Sequence, residues 1–367
     1  MYVAVKGGEK AIKNAHKLND KKRRGDLDVP EISAKQISEQ MSGAVDKVMN
    51  EGNLFDRQLG ALSIKQSAGD LIEAVFLLRA YRTTLPRLAI AKPIDTNDMH
   101  IKRRVSATYK DVPGGQILGS TFDYTHRLFD FGLLNSDNVG VEINVDKNSL
   151  PLANEDVTSR VAEFLEKDGS IVIDVDSGAE PGDITVKPLT FPGTRSERLQ
   201  QLIRSDEGFI TSMAYAVIRG YAEGTHPYVG ETRIGETKVF ICPEEVGFDI
   251  DIGDIELTEC EMFGKFFSPS NETPKLTRGY ALTLGSAERK AMSVSIMDLA
   301  LRIEDFGKLG NGPPQDVEFV MSHCDNVDAD GFLSHLRLPH YVDFQADLNL
   351  LKLLKEEYNK QQAKKDC

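Results

Sequence analysis

The sequence predicts an α+β protein, with a helical N-terminal domain and a C-terminal antiparallel sheet meander packed with helices. Three observations carry this. Apolar residues recur at helical spacing almost without interruption from 33 to 91. From His226 the pattern changes to short alternating segments, 228–234, 238–242, 247–252 and 255–262, with turn residues at Gly235, Pro243-Glu244 and Gly253-Asp254. A strand at 278–284 then runs through Gly285-Ser286 into a helix reaching Ile303. At 367 residues and 40% hydrophobic content, the chain has room for two or three domains. The breaks fall at 1-100 (mainly helical), 101-225 (mixed, with polar surface loops) and 226-367 (α+β, with a histidine-rich site).

Taken in order, Met1 to Lys6 is a short strand candidate, and Gly7-Gly8 opens a helical pattern to about Asn19. Lys21-Lys22-Arg23-Arg24 reads as a solvated basic loop. Ser33 can cap a helix carrying Ile37, Met41, Val45 and Val48, and a second helical segment spans 54–68. Asp70 caps a third, 71–82, apolar nearly all round, so it is expected at the centre of the helical domain or at a subunit interface. Arg79 and Arg82, one turn apart on it, need acidic partners on neighbouring helices.

Beyond Pro93, 103–109 reads as a strand, followed by the loop Lys110-Asp111-Val112-Pro113-Gly114-Gly115-Gln116. Its two glycines leave backbone N–H groups open to a ligand, which makes Gly114, Gly115 and Gln116 candidate substrate contacts. His126 sits beside aromatic residues and is expected to be packed. Segments 135–150 and 174–192 are polar loops flanking a helix near 155–167, and helices at 195–204 and 206–219 follow. Ser286 can cap the helix starting at Ala287, and a strand-Gly-Ser-helix junction can hold an anion, with Arg278, Arg289 or Lys290 assisting. The same letters serve ordinary capping. Asn311-Gly312-Pro313-Pro314 is a break, and a helix over 343–361 ends in a Lys-rich, disordered tip.

The formal net charge of −13 argues against a general nucleic-acid binder. No apolar run is long enough for a membrane span, and no signal-peptide pattern opens the chain. Cys242, Cys260, Cys324 and Cys367 are scattered, as expected for reduced thiols in a cytoplasm.

The densest chemistry lies in 323–345, which holds three of the seven histidines. Imidazole nitrogen and carboxylate oxygen suit borderline cations such as zinc. On one unbroken helix, His335 and His340 would point roughly 140° apart. Pro339 prevents that helix, and the bend can bring both rings to one point. The spacing also fits two histidines flanking a plain helix-turn-helix corner. Two ligands do not complete a site: His323, Asp325 and Asp343 are candidate third ligands, as are substrate oxygens or another subunit.

Several blocks together carry a resemblance. They are Met1-Tyr2-Val3-Ala4-Val5-Lys6-Gly7-Gly8-Glu9-Lys10-Ala11-Ile12, Phe76-Leu77-Leu78-Arg79-Ala80-Tyr81-Arg82-Thr83-Thr84, Tyr109-Lys110-Asp111-Val112-Pro113-Gly114-Gly115-Gln116 and Leu257-Thr258-Glu259-Cys260-Glu261-Met262. Ser286-Ala287-Glu288-Arg289-Lys290-Ala291-Met292 and Ser334-His335-Leu336-Arg337-Leu338-Pro339-His340-Tyr341-Val342-Asp343-Phe344-Gln345 complete the set. The chain resembles the PhnI family, the large subunit of the bacterial carbon–phosphorus lyase core complex, departing mainly in 135–192 and in the tail.

The resemblance implies a role in phosphonate breakdown: with PhnG, PhnH and the ATP-binding-cassette subunit PhnL, an alkylphosphonate is attached to ribose C1 of ATP and adenine leaves. It further implies purine nucleotide nucleosidase activity when alone, Mg-ATP as substrate, a dimer within a hetero-oligomer that includes PhnJ and PhnK, and zinc at His335 and His340 facing PhnJ. It transfers no catalytic acid or base. Glycosidic cleavage calls for a carboxylate near the ribose and a proton donor for the purine. Asp325, Asp328 and Asp343, with Asp330, are the carboxylates nearest the histidines in sequence. The competing readings are an assembly scaffold whose metal ligands serve a shared site, and a stand-alone zinc hydrolase.

Overall fold

The structure is a computed structural model that describes residues 8–134, 159–222, 226–264 and 273–365. Contacts gather the described residues into two units, one from Ile32 to Asp325 and one joining the residues up to Glu31 with those from Asn326. This grouping differs from the segments 1-100, 101-225 and 226-367, because strand pairing ties the middle of the chain to its later part.

The larger unit opens with four short helices: α2 (Ala34–Gln40), α3 (Ser42–Gly52), α4 (Arg57–Gln66) and α5 (Leu71–Arg82). Their starts follow local chemistry. Ser33 accepts from Gln36 N while the Gln36 side chain reaches back, a reciprocal cap, and Asp70 accepts from the amides of Ile72 and Glu73. Asp56 caps α4 in the same way. Val45, Val48 and Met49 are fully buried against Ala61, Ile64 and Leu78. Helix α5 turns Ala74, Val75 and Leu78 inward and leaves Ile72, Phe76 and Tyr81 exposed.

Strands β1 (His100–Val105), β2 (Tyr228–Ile241), β3 (Ile250–Gly264) and β4 (Thr277–Leu284) form one antiparallel sheet in that order. Two of the expected turns are not turns. The chain runs straight through Gly235, where a Cβ would stand 2.3 Å from the His100 carbonyl oxygen, so the glycine allows β1 to approach. Gly253, at φ +120°, lies beside the register shift between Lys238 and Phe240 and serves a bulge. The reversal comes at Pro243–Gly247, where Gly247 N donates to Pro243 O at 3.0 Å.

Helices α6 (Val161–Lys167), α7 (Arg195–Arg204), α8 (Glu207–Ile218), α9 (Glu288–Leu301) and α10 (Val317–His323) surround the sheet. Of these α9 is the buried centre, with Val294, Met297, Leu299 and Ala300 at zero exposure. It packs on β4 through Gly279, whose Cβ would lie 2.1 Å from the Ser295 carbonyl oxygen. Leu202, Ile210, Ala214, Cys260, Met262 and Val320 complete this core.

The smaller unit holds α1 (Gly8–Arg24), α11 (Asn326–His335) and α12 (Tyr341–Lys365), none of which buries a residue. The Lys21–Arg24 run is the last turn of α1, not a loop, because cations suit the negative end of a helix dipole. The Lys-rich tip is likewise helical through Lys365. The strand expected over residues 1–6, and segment 135–150, lie outside the described residues.

Candidate functional site

The corner between α11 and α12 is built as the sequence suggests. The α11 backbone tightens past His335, with Leu338 N donating to His335 O at 2.9 Å, and Pro339 then stops it. The next helix starts at once, Phe344 N donating to His340 O at 3.0 Å. This places the ring centroids of His335 and His340 5.3 Å apart, with 68° between their planes. Each Nδ1 meets a backbone carbonyl, that of Phe332 for His335 and that of Leu338 for His340. A carbonyl only accepts, so each Nδ1 carries the proton and each neutral ring keeps its lone pair on Nε2. Two imidazoles on one tetrahedral zinc, with Zn–N bonds of about 2 Å, have centroids about 5 Å apart. The observed centroid spacing is of that size.

The candidate third ligands are not gathered: no group of three or more His, Cys, Asp or Glu fit to hold a metal occurs among the described residues. His323 gives its Nδ1 to the Phe319 carbonyl at 2.7 Å and packs on the Phe319 ring. Asp325 is 5% exposed and is taken up by Arg79, at 2.8 and 2.9 Å, and by Arg204 at 3.3 Å. Arg79 thus has the acidic partner expected of it, while Arg82 donates to the Thr185 hydroxyl. Asp328 and Asp343 sit in the first turns of α11 and α12, where a carboxylate suits the helix dipole. Asp330 accepts from Ser334.

The Gly285-Ser286 junction does hold an anion, and it is the protein's own Asp46. Ser286 N donates to Asp46 Oδ2 at 3.2 Å, and Arg57 pairs with Asp46 Oδ1 at 2.9 Å. Ser286 does not cap α9; its hydroxyl donates to Glu256, and the N-cap residue is Ala287. The supposed helpers point elsewhere: Arg289 pairs with Glu207, and Lys290 donates to the Ser205 carbonyl. In the glycine loop, the Gly115 amide is used internally, donating to Val112 O at 2.8 Å, and Gly114 takes φ +80° after Pro113 as a type II turn requires. Gln116 accepts weakly from Ser106 N. His126 is exposed rather than packed.

A site that includes Arg278, but none of the other sequence-predicted residues, lies against β3 and β4. A cavity of 330 Å³ is lined by Arg160, Asp174, Arg195, Glu261, Arg278 and Tyr280. The sheet register sets Glu261 directly opposite Tyr280, with Arg278 on the same face two residues before it. Arg160 immediately precedes α6, and Arg195 opens α7. Glu261, 1% exposed, accepts on Oε1 from Arg160 at 2.9 Å and from Arg278 at 3.2 Å. Its Oε2 has no hydrogen-bond partner among the described residues. Burial lifts the Glu261 carboxyl above its ordinary range, against the pull of both arginines, and Glu259 and Glu231 push the same way. Glu259 is also buried, but Arg233 and Arg160 outweigh that and hold it low. It accepts from the Tyr280 hydroxyl at 2.9 Å and from Thr96 at 2.8 Å, and burial with this partner keeps the phenol protonated. Arg195 is clamped by Asp298 at 2.7 Å and Asp174 at 2.9 Å.

The signal available beforehand was the run Glu259-Cys260-Glu261, facing Arg278 and Tyr280 on the following strand. Alternating charge on a strand ordinarily marks a solvated face, and only Arg160, from a distant segment, reveals these carboxylates as buried.

These features define an α+β protein with two histidines at a helix corner and, in its larger unit, two neighbouring buried carboxyls, one shifted down and one shifted up. The family model for the bacterial phosphonate metabolism protein PhnI matches residues 1–358, and the chain belongs to that family. It is 52% identical over 359 residues to the alpha-D-ribose 1-methylphosphonate 5-triphosphate synthase subunit PhnI of Escherichia coli (strain K12), covering 98% of this chain and 99% of that one. The subunit of the same name from Rhizobium meliloti (strain 1021) is 51% identical over 365 residues, 99% of this chain and 97% of that one. A putative C-P lyase subunit protein HtxH of Stutzerimonas stutzeri is 35% identical over 362 residues, 97% and 96% of the two chains. Among the described residues no helix is long and apolar enough to cross a membrane.

Proposed function

We propose that this chain is a subunit of an alpha-D-ribose 1-methylphosphonate 5-triphosphate synthase, acting where an alkylphosphonate replaces adenine at ribose C1 of Mg-ATP. Its partners on this reading are PhnG, PhnH, PhnJ and the ATP-binding-cassette subunits PhnK and PhnL, in a cytoplasmic assembly holding two copies of the chain. The names of two relatives, at 52% and 51% identity over nearly the whole chain, support the reading.

The structural observation that carries it is the approach of the His335 and His340 rings, with both Nδ1 atoms tied to backbone carbonyls. A triphosphate and a phosphonate repel each other and a chain of net charge −13, so bringing them together needs local positive charge. Zinc held by the two imidazoles would supply that charge, with Lewis acidity towards phosphoryl oxygens. The residues themselves orient and pre-arrange the corner: the carbonyls of Phe332 and Leu338 fix the ring tautomers, and Pro339 fixes the bend.

A scaffold role, with the histidines contributing to a site completed by another subunit, is supported by one observation: only two such ligands meet here among the described residues. Adenine release separates the readings. The purified chain should release adenine from Mg-ATP at a slow rate, as a nucleosidase using water, if it holds the chemistry itself. Release that needs a partner, and that survives His335→Ala, assigns the histidines to a shared site.

A further inference from the structure

We propose that the cavity between β3, β4 and Arg160 receives the nucleoside part of a purine nucleotide, with the Glu261 carboxyl as the proton donor to the departing base. This deepens the ribosyl-transfer reading and rests on it.

The geometry supports this assignment in three ways. At 330 Å³ the cavity is at the small end of ligand pockets, which run from about 300 Å³, a size for a base and a sugar rather than a whole triphosphate. Two of its arginines are already matched by carboxylates, Arg195 by Asp174 and Asp298, and Arg160 by Glu259. That near-neutral lining suits an uncharged nucleoside. Glu261, finally, is 1% exposed yet leaves Oε2 without a hydrogen-bond partner among the described residues, a costly arrangement for a group with a purely structural task.

The roles follow from the contacts. The C1–N9 bond breaks, its electron pair going to the purine, and the proton on Glu261 passes to a purine ring nitrogen. A phosphonate oxygen, or water that loses a proton to solvent when the chain acts alone, forms the new bond to C1. Glu261 is left as a carboxylate, which Arg160 and Arg278 stabilise. Burial raises the proton affinity of the carboxyl, and the two guanidinium groups keep it acidic enough to give a proton up. Arg278 is a positioning residue. Its contacts to Glu261, Glu166 and Asp174, at 3.2, 3.4 and 3.5 Å, are longer than ordinary charge-assisted bonds and leave it free to tighten as Glu261 gains charge.

The test uses the assembled complex with methylphosphonate and compares ATP with N7-methylated GTP, whose base already carries a positive charge and leaves without protonation. Glu261→Gln should lower kcat for adenine release by about 100-fold or more and abolish the alkaline fall of the pH profile. On the N7-methylated nucleotide the loss should be under about tenfold. Equal losses on both nucleotides, or no loss, overturn the assignment. If Glu261→Gln does not assemble, Arg278→Gln decides: the alkaline limb should move to higher pH, and an unmoved limb overturns the proposal. A wild-type complex that releases no adenine from ATP would instead remove the ribosyl-transfer reading beneath it.

Discussion

Glu259 and Glu261 stand two residues apart on one face of β3 and share a single guanidinium, Arg160, at 3.0 and 2.9 Å. Their carboxyls are nevertheless driven in opposite directions. Arg233 and Arg160 outweigh burial at Glu259 and lower it, whereas at Glu261 burial outweighs Arg160 and Arg278 and raises it. The same strand positions face Tyr280 and Arg278, so the sheet register itself assembles the group.

The Arg79–Asp325 pair ties α5 to the residues after α10, with further bonds from Arg79 to the carbonyls of Glu51 and Arg204. Replacing Arg79 by Met takes the bidentate partner from a carboxylate at 5% exposure and leaves the Arg204 contact in place. The expected cost is about 3 kcal/mol, at the lower end of values for a broken buried pair because Arg204 stays. Urea denaturation of Arg79→Met against wild type measures it, and a change below about 1 kcal/mol would show the pair to be dispensable.

Partial burial raises Asp183, but hydrogen bonds from Thr185 and Arg87 outweigh it and bring the carboxyl down to about 2. Its folded value is therefore below its unfolded value. The stability it contributes is present above about pH 4 and is lost as pH falls from there towards 2. Asp183→Asn should lower the urea midpoint at pH 7, and the gap to wild type should narrow steadily below pH 4. A gap independent of pH would assign the effect to lost packing instead.

The thiols separate by position. Burial pushes Cys260 up to about 11, against hydrogen bonds from Ser295 and Thr232, and burial likewise raises Cys324. Cys242 is exposed. At pH 8 a thiol reagent followed by peptide mass mapping should modify Cys242 in minutes and leave Cys260 and Cys324 protected until the chain is denatured. Rapid labelling of Cys260 in the native protein would contradict the packing of α9 against the sheet.

Metal affinity should depend on both imidazoles. His335→Ala or His340→Ala is expected to weaken zinc binding by about 100-fold or more, since losing a ligand exceeds the 10–100-fold cost of losing an outer hydrogen bond. Affinity should also drop on acidification, because protons compete for Nε2. Competition with a zinc-binding dye provides the measurement, and an unchanged affinity in either variant would place the metal elsewhere.

What the sequence made legible was local. Ser33 and Asp70 announce helix starts because a cap involves only the next three residues, and Pro339 announces a corner because it breaks the backbone where it stands. Gly235 was misleading, since a glycine that admits a neighbouring strand looks the same as one that makes a turn. The junction at Gly285 reads correctly as an anion cradle but cannot disclose that Asp46, 239 residues earlier, fills it. The cavity stayed hidden for the same reason: Arg160, Arg195 and the β3 carboxyls come from separate segments, and only the fold makes them neighbours.

The central claim is that phosphonate oxygen displaces a purine at C1. The most direct measurement supplies the assembled complex with Mg-ATP and methylphosphonate labelled with ¹⁸O, and follows the product by ³¹P NMR and mass spectrometry. One adenine should appear for each labelled oxygen retained between phosphorus and the ribose carbon. Release of adenine with an unlabelled hydroxyl at C1 in the presence of saturating phosphonate, or of phosphate with no adenine, would contradict it.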